Sequence, residues 1–328
     1  MDNGKNRKKK KRRTQGIGKE DILVLLFCLI CFPYFLSNFS ARKQLPWDSV
    51  KPDTGGVTIP VSYALGVKNV PIEEYLVGML AACCPKDAEP EMLKAQAVIL
   101  RSRVAAYYAS QKEMTEMSEP YWDISDCRRE WGGEWESALE VFSQTVQDTK
   151  DFVLTCKGSI VSPPFFFLSN GNTRGGSEYK KWGKEYEYLK SVPCEKDVLS
   201  PAYENQKEYT QTEWEDSLKK TFSITGLPEK IVLLRDAKGY VDKVRLGDLE
   251  IEGEAFRRIF HIPSSDFTLE TVDGKLLIST KGKGHGFGFC QNTANELAKQ
   301  GQTFEMILAY FFEDLQIERK KISEISFE

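Results

Sequence analysis

One stretch near the start of the chain limits its possible folds more than any other. It reads ILVLLFCLICFPYFLSNF, from Ile22 to Phe39, and contains no charged residue. A bilayer core requires ~20 consecutive apolar residues, so this run lies near the lower limit for a membrane span. We therefore predict a single transmembrane helix at residues 22–39.

The charges around this run predict its orientation. Residues 1–19 hold nine Lys or Arg residues and one Asp. Because such basic clusters stay on the cytoplasmic side, we expect residues 1–21 to form a cytoplasmic tail and everything after the anchor to lie outside the membrane. A cleaved signal peptide is the main alternative, but the apolar run is long for one and Phe39 interrupts the small-residue cleavage pattern. A second alternative, a buried core helix of a folded domain, does not explain the cluster of basic residues directly before the run.

Charge also limits the possible partners. The formal net charge of the chain is −3, but without residues 1–19 it is −11. Nucleic-acid binding requires a basic surface, so we expect no nucleic-acid partner. The 328 residues, 41% of them hydrophobic, suffice for one large folded domain or two smaller ones.

The remaining chain is predicted to contain one folded domain with short flanks. Residues 40–56 combine Pro, Gly and charge and are interpreted as a linker, and residues 321–328 as a C-terminal tail. Between them, at 57–320, strand-like and helix-like segments alternate too irregularly for a doubly wound sheet. We therefore predict a mixed α+β domain.

Two prolines divide the helical part of this domain. Apolar residues from Ile72 to Leu80 have helical spacing, Pro85 is expected to end that helix, and Pro90 fits the first turn of the next. Residues 115–135 are expected to be a loop, with strands beginning at Phe152. The helix NTANELAKQ is expected to be the last and to end at Gly301.

The second helix is predicted to bury one stripe, formed by Leu93, Ala97, Leu100 and Val104. Its polar residues form other stripes. The polar residues are Lys94, Gln96, Arg101 and Arg103. In an ordinary helix such polar stripes would face solvent.

Six cysteines follow the predicted anchor: Cys83, Cys84, Cys127, Cys156, Cys194 and Cys290. Disulfides persist outside the cytoplasm, and six cysteines allow 15 pairings, among which the sequence does not select. The chain has two histidines, His261 and His285, so a Cys/His zinc site would need ligands from distant parts of the fold.

Three separated stretches carry a family resemblance. They are EEYLVGMLAACCPKDAEPEMLKAQAVILRS, FFFLSNGNTRGGSEYKKWGKEYEYLKSV and GKGHGFGFCQNTANELAKQGQTFEMILAYFF, in that order. Through these three stretches, the chain resembles the stage II sporulation protein D/amidase enhancer family over about residues 57–320. The resemblance implies a membrane-tethered protein of endospore formation that faces the cell wall. It implies peptidoglycan glycan strands as substrate, lytic transglycosylase activity, and sporulation or engulfment proteins as partners.

The same resemblance raises doubt about catalysis. It implies a catalytic Glu at the end of the helix before LKAQA, and this position is Cys83 here. A thiol of pKa ~8.5 is a much weaker acid than a tuned carboxyl, so we expect a catalytically silent member that still binds glycans. Two alternatives remain open. A nearby carboxylate (Asp87, Glu89 or Glu91) replaces the acid, or Cys83 or Cys84 acts as a nucleophile with His285 as base.

The resemblance also implies residues for a glycan-binding groove. They are Lys94, Gln96, Arg101, Ser169, Asn170, Gly171, Thr173, His285, Gly286, Gly288 and Gln291. The glycines are expected to let the backbone approach a ligand, and His285 to offer a sugar one donor and one acceptor. A purely structural role for His285 is the alternative. Phe166 stands where the family pattern has His, and Cys290 where it has Ser.

Cofactors are not expected. Some members of the family carry zinc through a His and two Cys in the loop that corresponds to residues 115–130. Here that loop contains Cys127 and no histidine, so we expect this zinc site to be absent.

Overall fold

The computed structural model describes residues 56–63, 66–110, 117–178, 186–222 and 230–325. All of them belong to one compact unit, Val50–Glu328. The predicted tail, anchor and nearly all of the linker lie outside these ranges. Within them, no helix combines the length and apolar character needed to cross a membrane.

Helices and short strands are mixed along the chain, in agreement with the predicted fold class. The helices are α1 (Ile72–Cys83), α2 (Pro90–Ser110), α3 (Ile124–Trp131), α4 (Trp135–Asp148), α5 (Gln211–Phe222), α6 (Gly253–Ile259), α7 (Gln291–Lys299) and α8 (Phe304–Phe311). The strands are β1 (Thr58–Tyr63), β2 (Gly66–Pro71), β3 (Phe152–Cys156), β4 (Ser159–Ile160), β5 (Phe165–Phe166), β6 (Glu204–Tyr209), β7 (Ile231–Arg235), β8 (Val241–Leu246), β9 (Leu249–Glu252), β10 (Asp266–Val272), β11 (Lys275–Lys281), β12 (Phe289–Cys290) and β13 (Gln316–Arg319).

The two predicted proline boundaries are confirmed. Helix α1 ends at Cys83, and the next residue, Cys84, is already extended with φ −115° and ψ 146°. Helix α2 begins at Pro90. The residue before a proline avoids helical angles, and a proline in the first turn loses no hydrogen bond. The short turn between the two helices is therefore determined locally.

Helix α2 lies at the centre of the helical part, where it contacts α1, α4, α7, α8 and β3. The predicted apolar stripe is buried, with Leu93, Ala97 and Val104 fully inaccessible. The expectation of a solvated polar face is wrong for two residues, because Gln96 is 0% and Arg101 1% exposed. Neighbouring elements cover this helix on several sides, so its polar residues must find partners inside the protein.

Two regions differ from the sequence expectation. Residues 115–135 include helix α3, which begins with a capping box in which Asp123 and Asp126 satisfy each other's backbone N–H groups. Helix α7 is followed by α8, whose N-cap is the Thr303 side chain, so α7 is not the last helix. Its predicted end is correct, since α7 stops at Lys299 and Gly301 has a φ of +83°.

The strands form small sheets rather than one large one. Their orders are β1-β2, β13-β3-β4, β7-β8-β9, β10-β11-β6 and β12-β5. The last pair is parallel and joins Phe289 to Phe165 and Cys290 to Phe166, which brings the second and third motif stretches together. A separate aromatic core around Trp214, Phe256 and Phe260 supports the strands between β6 and β11.

Candidate functional site

The position expected to carry a catalytic acid lies at the C-terminal end of α1. Cys83 is half-buried, and its sulfur lies 3.7 Å from the sulfur of Cys84. Burial, and then the adjacent Cys83, raise the pKa of the Cys84 thiol well above its usual value. Cys84 is therefore a neutral thiol at neutral pH and cannot supply a proton to a leaving oxygen efficiently.

Two buried amides stand beside this helix end. The Gln291 Nε2 group donates to the Cys83 carbonyl oxygen at 3.0 Å and to Gln96 Oε1 at 3.1 Å. Gln96 is fully buried, and its Nε2 group has no acceptor among the described residues. Buried donors are nearly always satisfied, so an unpaired one points to a ligand or an ordered water at this position. Cys83, Gln96 and Gln291 are called the thiol–amide site below.

The carboxylates near this site are only partly available. Glu91 Oε2 accepts from the Phe304 N–H at 2.8 Å, and Glu91 Oε1 pairs with Lys94 at 2.9 Å. Glu91 is thus engaged at the start of α8 and not poised as an acid. Asp87 and Glu89 occupy the turn between α1 and α2, where Asp87 is exposed and Glu89 half-buried.

Arg101 does not face a groove. Its guanidinium lies inside the fold and donates to Glu73 Oε2 at 2.8 Å, to the Thr149 carbonyl at 2.6 Å and to the Val146 carbonyl at 3.0 Å. These contacts connect α1 and α2 to the C-terminal end of α4, where carbonyl oxygens lack helical partners. The structure thus gives Arg101 a structural role, and its contact with a glycan stays a prediction. Lys94 is about three-quarters buried and held between Glu91 and Asp148.

The second motif stretch mainly holds the fold together. Ser169 and Thr173 are fully buried, and Thr173 Oγ1 accepts the Val192 N–H at 2.8 Å. Asn170 Nδ2 donates to the Lys238 carbonyl and to Asp266, each at 2.9 Å. Gly171 has a φ of +116° and lies beside Val198. These hydrogen bonds within the protein do not test whether the four residues also contact a sugar, so that role stays a prediction.

The two motif glycines are explained by protein packing. A Cβ on Gly286 would lie 2.6 Å from the Tyr240 ring, and one on Gly288 would lie 2.2 Å from the Pro164 carbonyl oxygen. Both residues also have positive φ, of +85° and +78°. Protein atoms occupy the space that a side chain would need at both positions, so packing explains the two glycines, and their approach to a ligand stays a prediction.

His285 is held in the same turn. Its Nδ1 atom accepts the Phe287 N–H at 3.0 Å, and its ring lies near Phe166. Burial and the positive charges of Arg257 and Arg174 lower its pKa to about 3. A group of that pKa is a weak base at neutral pH, which disfavours the thiol hydrolase alternative, since that mechanism needs a base able to deprotonate Cys83.

The six described cysteines are all free thiols. Burial, and then the charges of Asp126 and Asp123, raise the pKa of Cys127 to about 12. Cys127 lies in α3 and is fully buried. The absence of the loop zinc site stays a prediction.

Sequence reasoning missed two groups of residues. Tyr121 and Trp122 pack against α1 at Gly78, whose carbonyl accepts the Trp122 N–H at 3.1 Å. Both rings are half-buried, and the aromatic composition of residues 115–135 was the available signal. Asp197 is fully buried and had no signal in the sequence, because its surroundings come from distant segments.

Sequence comparisons place the chain among sporulation proteins. A family model described as "Stage II sporulation protein" (SpoIID) matches residues 62–156, which include α1, α2 and the thiol–amide residues Cys83 and Gln96. Stage II sporulation protein D of Bacillus subtilis (strain 168) is 30% identical over 274 residues, covering 80% of this chain and 79% of that protein. The chain therefore belongs to the stage II sporulation protein D family.

Two further relatives have similar coverage. Stage II sporulation protein D of Bacillus amyloliquefaciens is 28% identical over 261 residues, 76% of this chain and 75% of that protein. An uncharacterized protein of Brachyspira hyodysenteriae (strain ATCC 49526 / WA1) is 26% identical over 261 residues, 76% of this chain and 67% of that protein.

Proposed function

We propose that this protein binds the glycan strands of peptidoglycan during endospore formation and does not cleave them. One observation carries the proposal: the end of α1 presents the half-buried Cys83 thiol at the position where the family resemblance implies a carboxyl. The Gln96 and Gln291 amides lie buried behind this helix end, where Gln291 donates to the Cys83 carbonyl and to Gln96, so they hold the position that would face the glycan. A general acid contributes about 100- to 10,000-fold to such chemistry, so binding survives its loss and cleavage does not.

The aromatic residues beside α1 support saccharide binding at this end of the domain. Tyr121 and Trp122 are half-buried, and Tyr121 stacks on Tyr75 with ring centroids 5.1 Å apart. Rings fixed in this way present an apolar face and a polar edge at low cost in conformational entropy. Such rings are suited to stacking against the apolar face of a sugar.

A single preparation tests both halves of the proposal. Purified full chain in detergent is sedimented with insoluble peptidoglycan, and denuded glycan strands incubated with it are analysed for 1,6-anhydro products by mass spectrometry. We expect sedimentation with the wall and no anhydro products. Failure to bind would contradict the binding half. Anhydro products abolished by Asp87→Ala or Glu89→Ala would support the active transglycosylase alternative, and cleavage lost on alkylation of Cys83 would support the thiol hydrolase.

Gln96→Met is expected to weaken wall binding by about 2- to 12-fold, the effect of one neutral hydrogen bond of 0.5–1.5 kcal/mol. The substitution keeps the volume and removes the Oε1 acceptor that holds Gln291 beside the end of α1. Gln147→Met is the matched control, because Gln147 Nε2 is also buried without an acceptor among the described residues but lies on α4, outside the thiol–amide site. Equal binding by both variants, with unchanged thermal unfolding, would locate the glycan contact elsewhere.

We also propose that residues 22–39 anchor the protein in the cell membrane, with the N-terminus cytoplasmic and residues 57–320 outside. The charge-free run and the basic residues before it support this orientation. Engulfment or other sporulation proteins are the partners proposed from the family. Protease added to intact protoplasts is expected to digest the folded domain and to spare an N-terminal tag. A protected domain would contradict this topology.

A further inference from the structure

The carboxylate of Asp197 is completely buried among neutral groups. Its Oδ1 atom accepts hydrogen bonds from Asn292 Nδ2 at 2.9 Å and Thr293 Oγ1 at 2.8 Å. Its Oδ2 atom accepts from the Ser169 N–H at 2.8 Å and from the Cys290 thiol at 2.9 Å. No ion pair with a Lys, Arg or His side chain is found for it within the described part of the chain. Buried charges are normally paired with a cation or bound to a metal, so this carboxylate calls for a positive partner.

Two thiols complete a set of metal ligands around it. The sulfurs of Cys194 and Cys290 and a carboxylate oxygen of Asp197 all lie within 4.8 Å of one another. Cys194 is 1% exposed, and Cys290 and Asp197 are fully buried. Ligand atoms of a tetrahedral zinc site lie roughly 3.3–3.8 Å apart, so a small inward movement would close the set around one ion.

We propose that Cys194, Asp197 and Cys290 bind a zinc ion. Two thiolates and a carboxylate favour zinc over magnesium or calcium, which prefer oxygen ligands throughout. The hydroxyls of Ser169 and Thr293 adjoin the Cys194 thiol, and an oxygen ligand such as a water would supply the fourth position of the tetrahedron. This site differs from the loop zinc site of relatives, since it uses none of residues 115–130.

The charge and hydrogen bonds of the site balance on binding. Zn²⁺ replaces the two thiol protons, which leave to solvent, so the net charge of the site is unchanged while every anionic ligand gains a cationic neighbour. The Cys290 thiol then no longer donates to Asp197 Oδ2, and this oxygen becomes available to the metal. Asn292, Thr293 and the Ser169 N–H keep the carboxylate oriented, as groups behind metal ligands commonly do.

The ion would connect distant parts of the chain next to the thiol–amide site. Cys194 precedes the short helix Glu195–Leu199, and Cys290 is the residue before α7, directly ahead of Gln291. Zinc would thus fix the turn that positions Gln291. The proposal does not depend on glycan binding, because metal content is measured without any glycan.

Metal analysis of the purified full chain tests the site. Protein produced in zinc-supplemented medium and purified with a reducing agent is expected to hold about one zinc ion per chain by elemental mass spectrometry. The Cys194→Ser/Cys290→Ser double variant is expected to lose it. Serine stands at position 290 in the family pattern, so the fold should survive, and thermal unfolding of the variant checks this. Cys127→Ser/Cys156→Ser is the matched control and should retain zinc.

Cobalt substitution provides a second measurement. Co²⁺ added to the metal-free chain is expected to give a thiolate-to-cobalt charge-transfer absorption that is missing in the Cys194→Ser/Cys290→Ser variant. Wild-type protein without zinc that also fails to take up Co²⁺ after reduction would overturn the proposal. Retention of zinc by that double variant would overturn it as well, as would a Cys194–Cys290 disulfide whose reduction leaves no metal affinity.

Discussion

Cys83→Glu is expected to give the protein a glycan-strand cleaving activity about 100- to 10,000-fold above that of the unmodified chain, the usual contribution of a positioned general acid. A lytic transglycosylase needs a single carboxyl, which protonates the glycosidic oxygen and then accepts the proton of the sugar's own 6-hydroxyl. Position 83 is half-buried at the last residue of α1, so a longer acidic side chain has room to extend from the helix. The 1,6-anhydro products, quantified by mass spectrometry, measure the gain.

Cys83→Gln is the matched control, since it has the same shape without an ionisable group and should stay inactive. If Cys83→Glu binds peptidoglycan as well as the wild type but produces no anhydro ends, the thiol–amide site is not the place where a glycosidic bond would lie. Equal activity in both variants would show that position 83 plays no part in proton transfer.

Arg101→Leu is expected to lower the free energy of unfolding by about 3–5 kcal/mol, because it leaves the Glu73 carboxylate buried without its partner. Arg101 is 1% exposed, and its guanidinium also serves the Val146 and Thr149 carbonyls at the end of α4. Urea denaturation followed by circular dichroism measures the change, and an unaltered m-value would confirm that only stability is affected.

Two controls separate this effect from a general loss of charge. Lys94→Leu breaks a partly exposed pair with Glu91 on the same helix and is expected to cost about 0–1 kcal/mol. Adding Glu73→Leu to Arg101→Leu removes the unpaired charge and should recover much of the lost stability. A loss of under 1 kcal/mol for Arg101→Leu alone would contradict the structural role and revive a contact with glycan.

Local rules made part of the fold predictable. Pro85 and Pro90 restrict their own and neighbouring backbone angles, so the turn between α1 and α2 could be placed from the sequence. The apolar spacing of α2 predicted its buried stripe, because residues three and four apart lie on the same face of a helix. Helix α3 was missed because its N-terminal signal, Asp123 with Asp126, was hidden in a segment dominated by aromatic and charged residues.

The candidate site was predictable only in outline. The family resemblance brought Cys83, Gln96 and Gln291 into one hypothesis, and they do meet, although Gln291 lies 208 residues from Cys83. The resemblance could not distinguish a ligand contact from a structural one. For Gly286 and Gly288, the atoms that require glycine belong to Tyr240 and Pro164, and these are known only once the chain is folded.

By itself, the sequence determined the end of α1, the start of α2 and the end of α7, as well as the α+β class, the family and the thiol at position 83, since each depends on neighbouring residues or on their order. Only the tertiary structure decided that Arg101 is buried against Glu73 and that Cys194 and Cys290 meet at Asp197. The reason is physical: a polar residue's burial and charge state depend on the partners that surround it, and here those partners come from segments far away in the chain.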